Sequence, residues 1–276
     1  MCNRSIGNME KKQFKIANIF VIMYPCSIIN KYWKKFENES PSRNGITLSV
    51  QSIFCDKIEV SGDFRMYSNI EKRDRILCKS EDIAIVNESW TSMQIFPLVC
   101  MENKFSFIKE MFCIHTIQRH MIQLHSSLIE HEGRGLMFLG PSGIGKTTQA
   151  ELWNKYCDAL IVNGDIVFVQ ETEDGFLGWG TPWHGSSPYC ENTSVPVKAL
   201  VVLKQAPENS IRELTGFEKV TAVSNSVFYP RWLENGMELC LETLDHLLSA
   251  LPVYELSCRP DEEAVKLTES IVFGRE

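Results

Sequence analysis

Nine consecutive residues have the clearest chemical purpose in this chain: Gly140, Pro141, Ser142, Gly143, Ile144, Gly145, Lys146, Thr147 and Thr148. They satisfy the pattern G-x-x-x-x-G-K-[ST], whose chemistry is phosphate binding. Small residues let successive backbone N–H groups curl around a polyphosphate, and the helix that follows adds its positive end. Lys146 is placed to reach the β- and γ-phosphates, and the Thr147 hydroxyl to ligate Mg²⁺. The flanks agree with that reading. Leu136–Leu139 reads as a buried strand, and Thr147–Tyr156 as a helix turning Ala150, Trp153 and Cys157 inward. The expected ligands are a nucleoside triphosphate, taken as ATP, and Mg²⁺.

A phosphate loop needs an acidic residue for the metal, normally at the end of a neighbouring strand. Asp165 follows the apolar run Ala159–Val162, so it can return to the loop's side and hold Mg²⁺ directly or through water. The bland alternative is that it only completes the turn Asn163-Gly164-Asp165.

The elements that must position these groups are legible in outline. From His125 onward strands and helices alternate. Ser127–Glu130 and Leu136–Leu139 pair around Glu132-Gly133, Ile166–Val169 and Phe176–Trp179 around Asp174-Gly175, and Val197–Leu203 is a continuous apolar run suited to a central strand. Thr215 has capping-box spacing to Glu218. Met237 to Leu251 is an amphipathic helix stopped by Pro252, Val253–Cys258 is a last strand, and Pro260-Asp261 opens a terminal helix. Upstream, Phe107 to Leu124 carries apolar residues at spacings of three and four, which predicts a helix over that whole stretch. Residues before it show short β-like runs: Phe14–Met23 as an edge strand, then Ile46–Val50, Ile58–Val60, Ile83–Val86 and Met93–Phe96. We therefore expect a small β-rich region over 1–104 and a nucleotide-binding domain over 105–276.

Composition limits the function. A formal charge of −7 gives no electrostatic support for a nucleic-acid partner. The apolar run Ile16–Ile29 is interrupted by Asn18, Pro25 and Ser27 and is too short to span a bilayer, so no membrane partner is expected. Ten scattered cysteines form no C-x-x-C pair, and with no signal peptide recognised they read as reduced thiols in a cytoplasm. His115, His120 and His131 have no metal-ligand spacing. Lys198 and Lys204 bracket the apolar strand. Arg212 reads as a surface ion pair or a group neutralising phosphoryl charge. Arg231-Trp232 is a further aromatic-basic contact for nucleotide or substrate.

From His125 to the C-terminus the chain resembles the HPr kinase/phosphorylase family and its relatives in the phosphoenolpyruvate carboxykinase superfamily. The resemblance rests on His125-Ser126-Ser127, on the loop with Ser142, and on Asn163-Gly164-Asp165. It implies an α/β fold with a P-loop nucleotide-binding core of the HPr kinase C-terminal-domain type, a mixed sheet, and a smaller β-rich N-terminal part. It also implies a homo-oligomer, since HPr kinases are hexamers. In that family two adjacent aspartates follow the strand; the first is the general base and the second helps hold Mg²⁺. Here the first is Gly164, so the resemblance gives Asp165 the metal role and leaves the base unassigned. The HPr-handling signature is not recognisable, which points to divergent members, some of which phosphorylate peptides from biosynthetic clusters.

Gly178-Trp179-Gly180-Thr181-Pro182-Trp183-His184-Gly185-Ser186-Ser187 reads as a substrate-facing loop, with His184 either the replacement base or a histidine capping a tight turn. His125 either contacts the γ-phosphate, orients Asp165, or is a buried hydrogen-bonded residue. The expected activity is ATP-dependent transfer of the γ-phosphate to a hydroxyl of a peptide, protein or small molecule, with Lys146, Asp165, His184 and His125 as catalytic candidates. The alternatives are an ATP-binding regulator without transfer activity and an NTP hydrolase.

Overall fold

Where Ala17 and Asn18 interrupt the first apolar run, the chain reverses. Both take positive φ (45° and 62°), and β1 (Lys12–Ile16) pairs antiparallel with β2 (Ile19–Tyr24). Two central residues with φ > 0 give the turn whose twist matches a hairpin, so Phe14–Met23 is two strands rather than the single expected one. These residues belong to a computed structural model that describes residues 12–24, 31–38, 47–52, 65–68, 75–79, 82–96, 101–230 and 233–274. The chain divides into two compact units, Met1–His115 and Thr116–Glu276.

In the first unit α1 (Lys31–Lys34) is followed by β3 (Thr47–Ser52), β4 (Arg65–Ser68), β5 (Arg75–Lys79), β6 (Asp82–Val86) and β7 (Ser92–Phe96). The strands form one sheet in the order β1-β2-β3-β7-β6-β5-β4, parallel at β2–β3 and β3–β7 and antiparallel elsewhere. Burial alternates along β6, with Ala84 and Val86 covered, as one packed face requires. Trp33 meets Phe14 edge-on, ring centroids 5.2 Å apart. The run Ile58–Val60, Arg231-Trp232 and cysteines 2, 26, 55 and 100 lie outside the described residues.

Helix α2 (Met101–Ile117) crosses the division between the units. Its three-and-four spacing buries Ile108, Met111, Ile114 and Ile117, but the helix does not run on to Leu124. His120 turns the chain at φ 51°, and Met121 and Leu124 lie on β8 (Met121–His131). An apolar run with neighbours on both faces looks alike to helix and strand periodicity, and strand pairing decides it here.

The second unit continues with β9 (Arg134–Leu139), α3 (Lys146–Cys157), β10 (Leu160–Asn163), β11 (Ile166–Thr172), β12 (Gly175–Trp179), β13 (Ser194–Gln205), β14 (Ser210–Glu213), α4 (Gly216–Ser224), β15 (Val227–Phe228), α5 (Gly236–Ala250), β16 (Val253–Cys258) and α6 (Glu262–Val272). Nine strands form a mixed sheet around β8. Its first half pairs with β11 and β15, and its second half with β9 and β10. β9 also runs parallel to β13, and β13 parallel to β16, with β14 antiparallel beyond. Alternation along β9 sends Met137 and Leu139 into a core with Leu244 and Leu247 of α5. Leu136 and Phe138 go into another with Trp153 of α3 and Val265 of α6. Helices therefore cover both faces, and the architecture is mixed α/β: two mixed sheets and six helices among the described residues. Asp261 caps α6 by accepting from Ala264 N (3.0 Å). Thr215 occupies the N-cap of α4 without a side-chain cap bond, so the expected capping box is not formed.

Candidate functional site

Strand β9 ends at Leu139, and the next six residues turn sharply before α3 begins at Lys146. Gly143 and Gly145 have φ of 79° and 115°, values that side chains with a Cβ avoid, so glycine is required for this curl. The loop thereby presents a helix N-terminus with backbone N–H groups directed outward, a site suited to anions.

Lys146 is buried, at 6% exposure, and folds back on its own loop. Nζ donates to the carbonyls of Gly140 (3.0 Å) and Pro141 (3.1 Å), while its main-chain carbonyl accepts from Ser127 Oγ (2.9 Å). Burial lowers its pKa below the ordinary lysine value, and the Asp165 carboxylate works in the opposite direction.

The turn between β10 and β11 brings Asp165 to the loop. Asn163, fully buried, organises it: Oδ1 accepts from the N–H groups of Asp165 (2.9 Å) and Ile166 (3.0 Å), and Nδ2 donates to Thr181 O (2.9 Å). Thr147 Oγ1 lies 3.4 Å from Gly164 O. Asp165 Oδ1 pairs with His125 Nε2 at 3.0 Å, both side chains about one-third exposed. On its other side Asp165 meets bare backbone, because a Cβ at Gly185 would sit 2.7 Å from Oδ2.

The segment 180–193 between β12 and β13 folds over this turn. Gly164 N donates to Tyr189 O (3.2 Å), and Glu191 N to Val162 O (2.8 Å). His184 Nδ1 contacts Ser187 O. A carbonyl cannot donate, so Nδ1 is the donor in this contact. Neither Trp183 of this segment nor Trp179 at the end of β12 lines the space around Asp165 and His184. Trp183 is buried against Phe168, and Trp179 Nε1 donates to Gln170 (3.0 Å). Packed against Phe168, the Trp183 indole buries more apolar area than an exposed loop position allows. Ser187 takes the space at Gly164, where any Cβ would run into its Oγ and Cβ.

A cleft of about 370 Å³ joins these groups. His125, Lys146, Thr147, Asp165 and His184 line it, along with Ser142, Gly143, Gly145 and Thr148 of the loop. Gly140, Pro141 and Ile144 stand in the loop outside that lining. The set includes two hard oxygen donors, the Thr147 hydroxyl and the Asp165 carboxylate. That suits Mg²⁺, which takes few protein ligands beside phosphate and water.

Other candidates stand apart. Arg212 pairs with Glu218 and Glu255 on the exposed side of β14, which is the surface ion-pair reading. His131 packs on Trp153 and Phe273 and pairs with Glu269, and His120 lies 3.8 Å from Glu171. Among the described residues no group of three or more His, Cys, Asp or Glu could hold a metal, and no helix is long and apolar enough to cross a membrane. The six described cysteines are unbridged. Sequence reasoning missed Asn163 and Ser187. The first carries a signal, since Asn before Gly-Asp is a side chain that caps its own turn. The second carries none.

The model of the family described as SynChlorMet cassette protein ScmC matches residues 94–258, more than half of the chain. No curated protein matches. Among solved structures the chain is similar to the Hpr(Ser) kinase/phosphatase from Coxiella burnetii. They share 11% identity at a TM-score of 0.34, over 55% of this chain and 88% of that one. A likeness that loose says nothing about individual residues.

Proposed function

The chain belongs to the ScmC family, and we propose that it is an ATP-dependent phosphotransferase acting on a hydroxyl of a peptide, protein or small molecule. The observation that carries this reading is the convergence, in one cleft, of a phosphate-type loop with Asp165, His125 and His184. Phosphoryl transfer needs positioning and charge neutralisation more than covalent chemistry, and this set offers both.

In this reading the loop N–H groups and Lys146 hold the β- and γ-phosphates, and Lys146 gives up its two carbonyl partners to do so. Mg²⁺, held by Thr147 and Asp165, supplies charge neutralisation on the phosphates when bound. The acceptor hydroxyl's oxygen attacks the γ-phosphorus, the bond to the leaving ADP oxygen breaks, and the hydroxyl proton passes to His184 Nε2. His125 fixes the Asp165 carboxylate from the side away from Gly185. The HPr kinase type of core remains part of this proposal.

Transfer from γ-labelled ATP into a host extract tests it, with Lys146→Ala and Asp165→Asn beside the intact protein. Label in an acceptor fraction only with the intact protein is the expected result. Confirmed ATP binding with no transferred label would overturn it. One observation favours a second reading, an ATP-binding regulator without transfer: Ser187 fills the place at Gly164 that a second carboxylate would need.

A further inference from the structure

A second cavity, of about 350 Å³, touches the same loop. Gly143, Gly145 and Thr148 line both cavities. The two lie on opposite sides of β9: the first toward its neighbour β8, the second toward β13 and β16. Because β9, β13 and β16 are parallel, the second cavity sits at the carboxyl ends of three adjacent strands, where open α/β sheets receive ligands. Its volume falls in the range of small-molecule sites, about 300–1,000 Å³.

The lining is mostly apolar, with Ile144, Leu203, Ala206 and Pro260 as walls. Arg259 is held in place by Asp261, Glu263 and the Pro207 carbonyl, so it forms a wall and not a mobile counter-ion. Thr148, Lys204 and Gln205 also line the cavity, and Gln149 is the polar residue of the lining that is buried. Gln149, in the first turn of α3, is 3% exposed. Its Nε2 donates to Cys258 Sγ (3.2 Å), and its Oε1 has no hydrogen-bond partner. A buried amide oxygen left without a donor is unfavourable, so this atom marks where an N–H of a ligand belongs.

We propose that this cavity receives the nucleoside of the bound nucleotide, that the base is adenine, and that Gln149 Oε1 accepts a hydrogen bond from its exocyclic amine. This rests on the phosphate-loop reading above. A base with a carbonyl at that position sets oxygen against oxygen and is disfavoured. The nucleotide then runs from the β13–β16 side across the loop, its terminal phosphate points to Asp165 and His184, and the acceptor enters from that side.

Calorimetric titration with Mg²⁺ and ATP, ITP or inorganic tripolyphosphate tests this on the full chain and two variants. In the wild type ATP should bind at least about tenfold tighter than ITP, the worth of one hydrogen bond, and Gln149→Met should bring the two within about twofold. Ala206→Trp, which fills the cavity from its wall, should weaken ATP about tenfold or more and leave tripolyphosphate unchanged. If tripolyphosphate binds but both variants keep wild-type ATP affinity, the nucleoside lies elsewhere and the proposal fails while the loop reading stands. If tripolyphosphate binds the wild type as tightly as ATP does, the proposal fails in the same way. If neither ATP nor tripolyphosphate binds, the loop reading fails and the adenine site with it.

Discussion

Asp165 is held by two contacts of different kinds, an imidazole at 3.0 Å and a glycine backbone that only a missing Cβ permits. Gly164 beside it is equally constrained, because Ser187 occupies the Cβ position. Gly164→Ala should therefore cost about 1–3 kcal/mol by overpacking, and Ser187→Gly in the same chain should restore most of it. Denaturant midpoints of the two single variants and the double would measure the coupling, and additivity would contradict the clash. Lys146 makes a pH prediction. Its pKa is lowered in the folded chain by burial, so between that value and the unfolded one the unfolded chain binds more protons. Stability contributed at this site then rises with pH through that window, and the cost of burying the charge is full below it. The thermal midpoint of the wild type should gain on that of Lys146→Met as pH rises from neutral toward the ordinary lysine value. A constant difference would mean that the lysine charge is not penalised.

At the scale of elements, the cleft depends on how firmly α3 is pressed to the sheet. Trp153 is fully buried between Phe138, His131 and Phe273, on the face of α3 opposite solvent. Trp153→Ala should lose about 3–5 kcal/mol, as large-to-small core changes do, and should loosen the loop that starts the helix. Chemical denaturation gives the first quantity. Weaker binding of inorganic tripolyphosphate, measured under conditions where the variant stays folded, gives the second. The turn after β10 depends in the same way on Asn163, whose amide holds Asp165 N, Ile166 N and Thr181 O at once. Asn163→Leu leaves these buried partners unpaired. It should reduce phosphate transfer far more than the exposed pair-breaking change Arg212→Gln, a contrast that the labelled-ATP assay reads directly.

For the whole molecule, the groups lining both cavities belong to the second compact unit, Thr116–Glu276. Ligand that binds only the folded state stabilises it by about 2.7 kcal/mol at a hundred times Kd. Hydrogen exchange with and without Mg²⁺ and ATP should accordingly slow in peptides covering Gly140–Thr148, Asn163–Asp165 and His184–Ser187. Peptides from the first sheet, β1 to β7, should be unchanged. Equal slowing in both units would place the nucleotide's effect outside the cleft.

The sequence by itself determined those features that depend on neighbours in the chain. Gly140, Gly143 and Gly145 with Lys146 and Thr147 specify a curled loop before a helix. The Asp174-Gly175 turn specifies the hairpin of β11 and β12, and the apolar run Val197–Leu203 specifies a strand with a partner on each side. Each follows from local sterics or from period, which a short window of residues carries. Tertiary structure decided whatever depends on residues distant in the chain. The helix predicted to Leu124 ends at Ile117 because β8 finds strand partners on both sides. Trp183 packs on Phe168 of the sheet because apolar space was there to fill. Ser187 reaches Gly164, and Gln149 reaches Cys258, across folds of the chain. Local preference is a property of backbone and adjacent side chains, whereas a shared cavity or a filled Cβ position exists only once separate segments have packed.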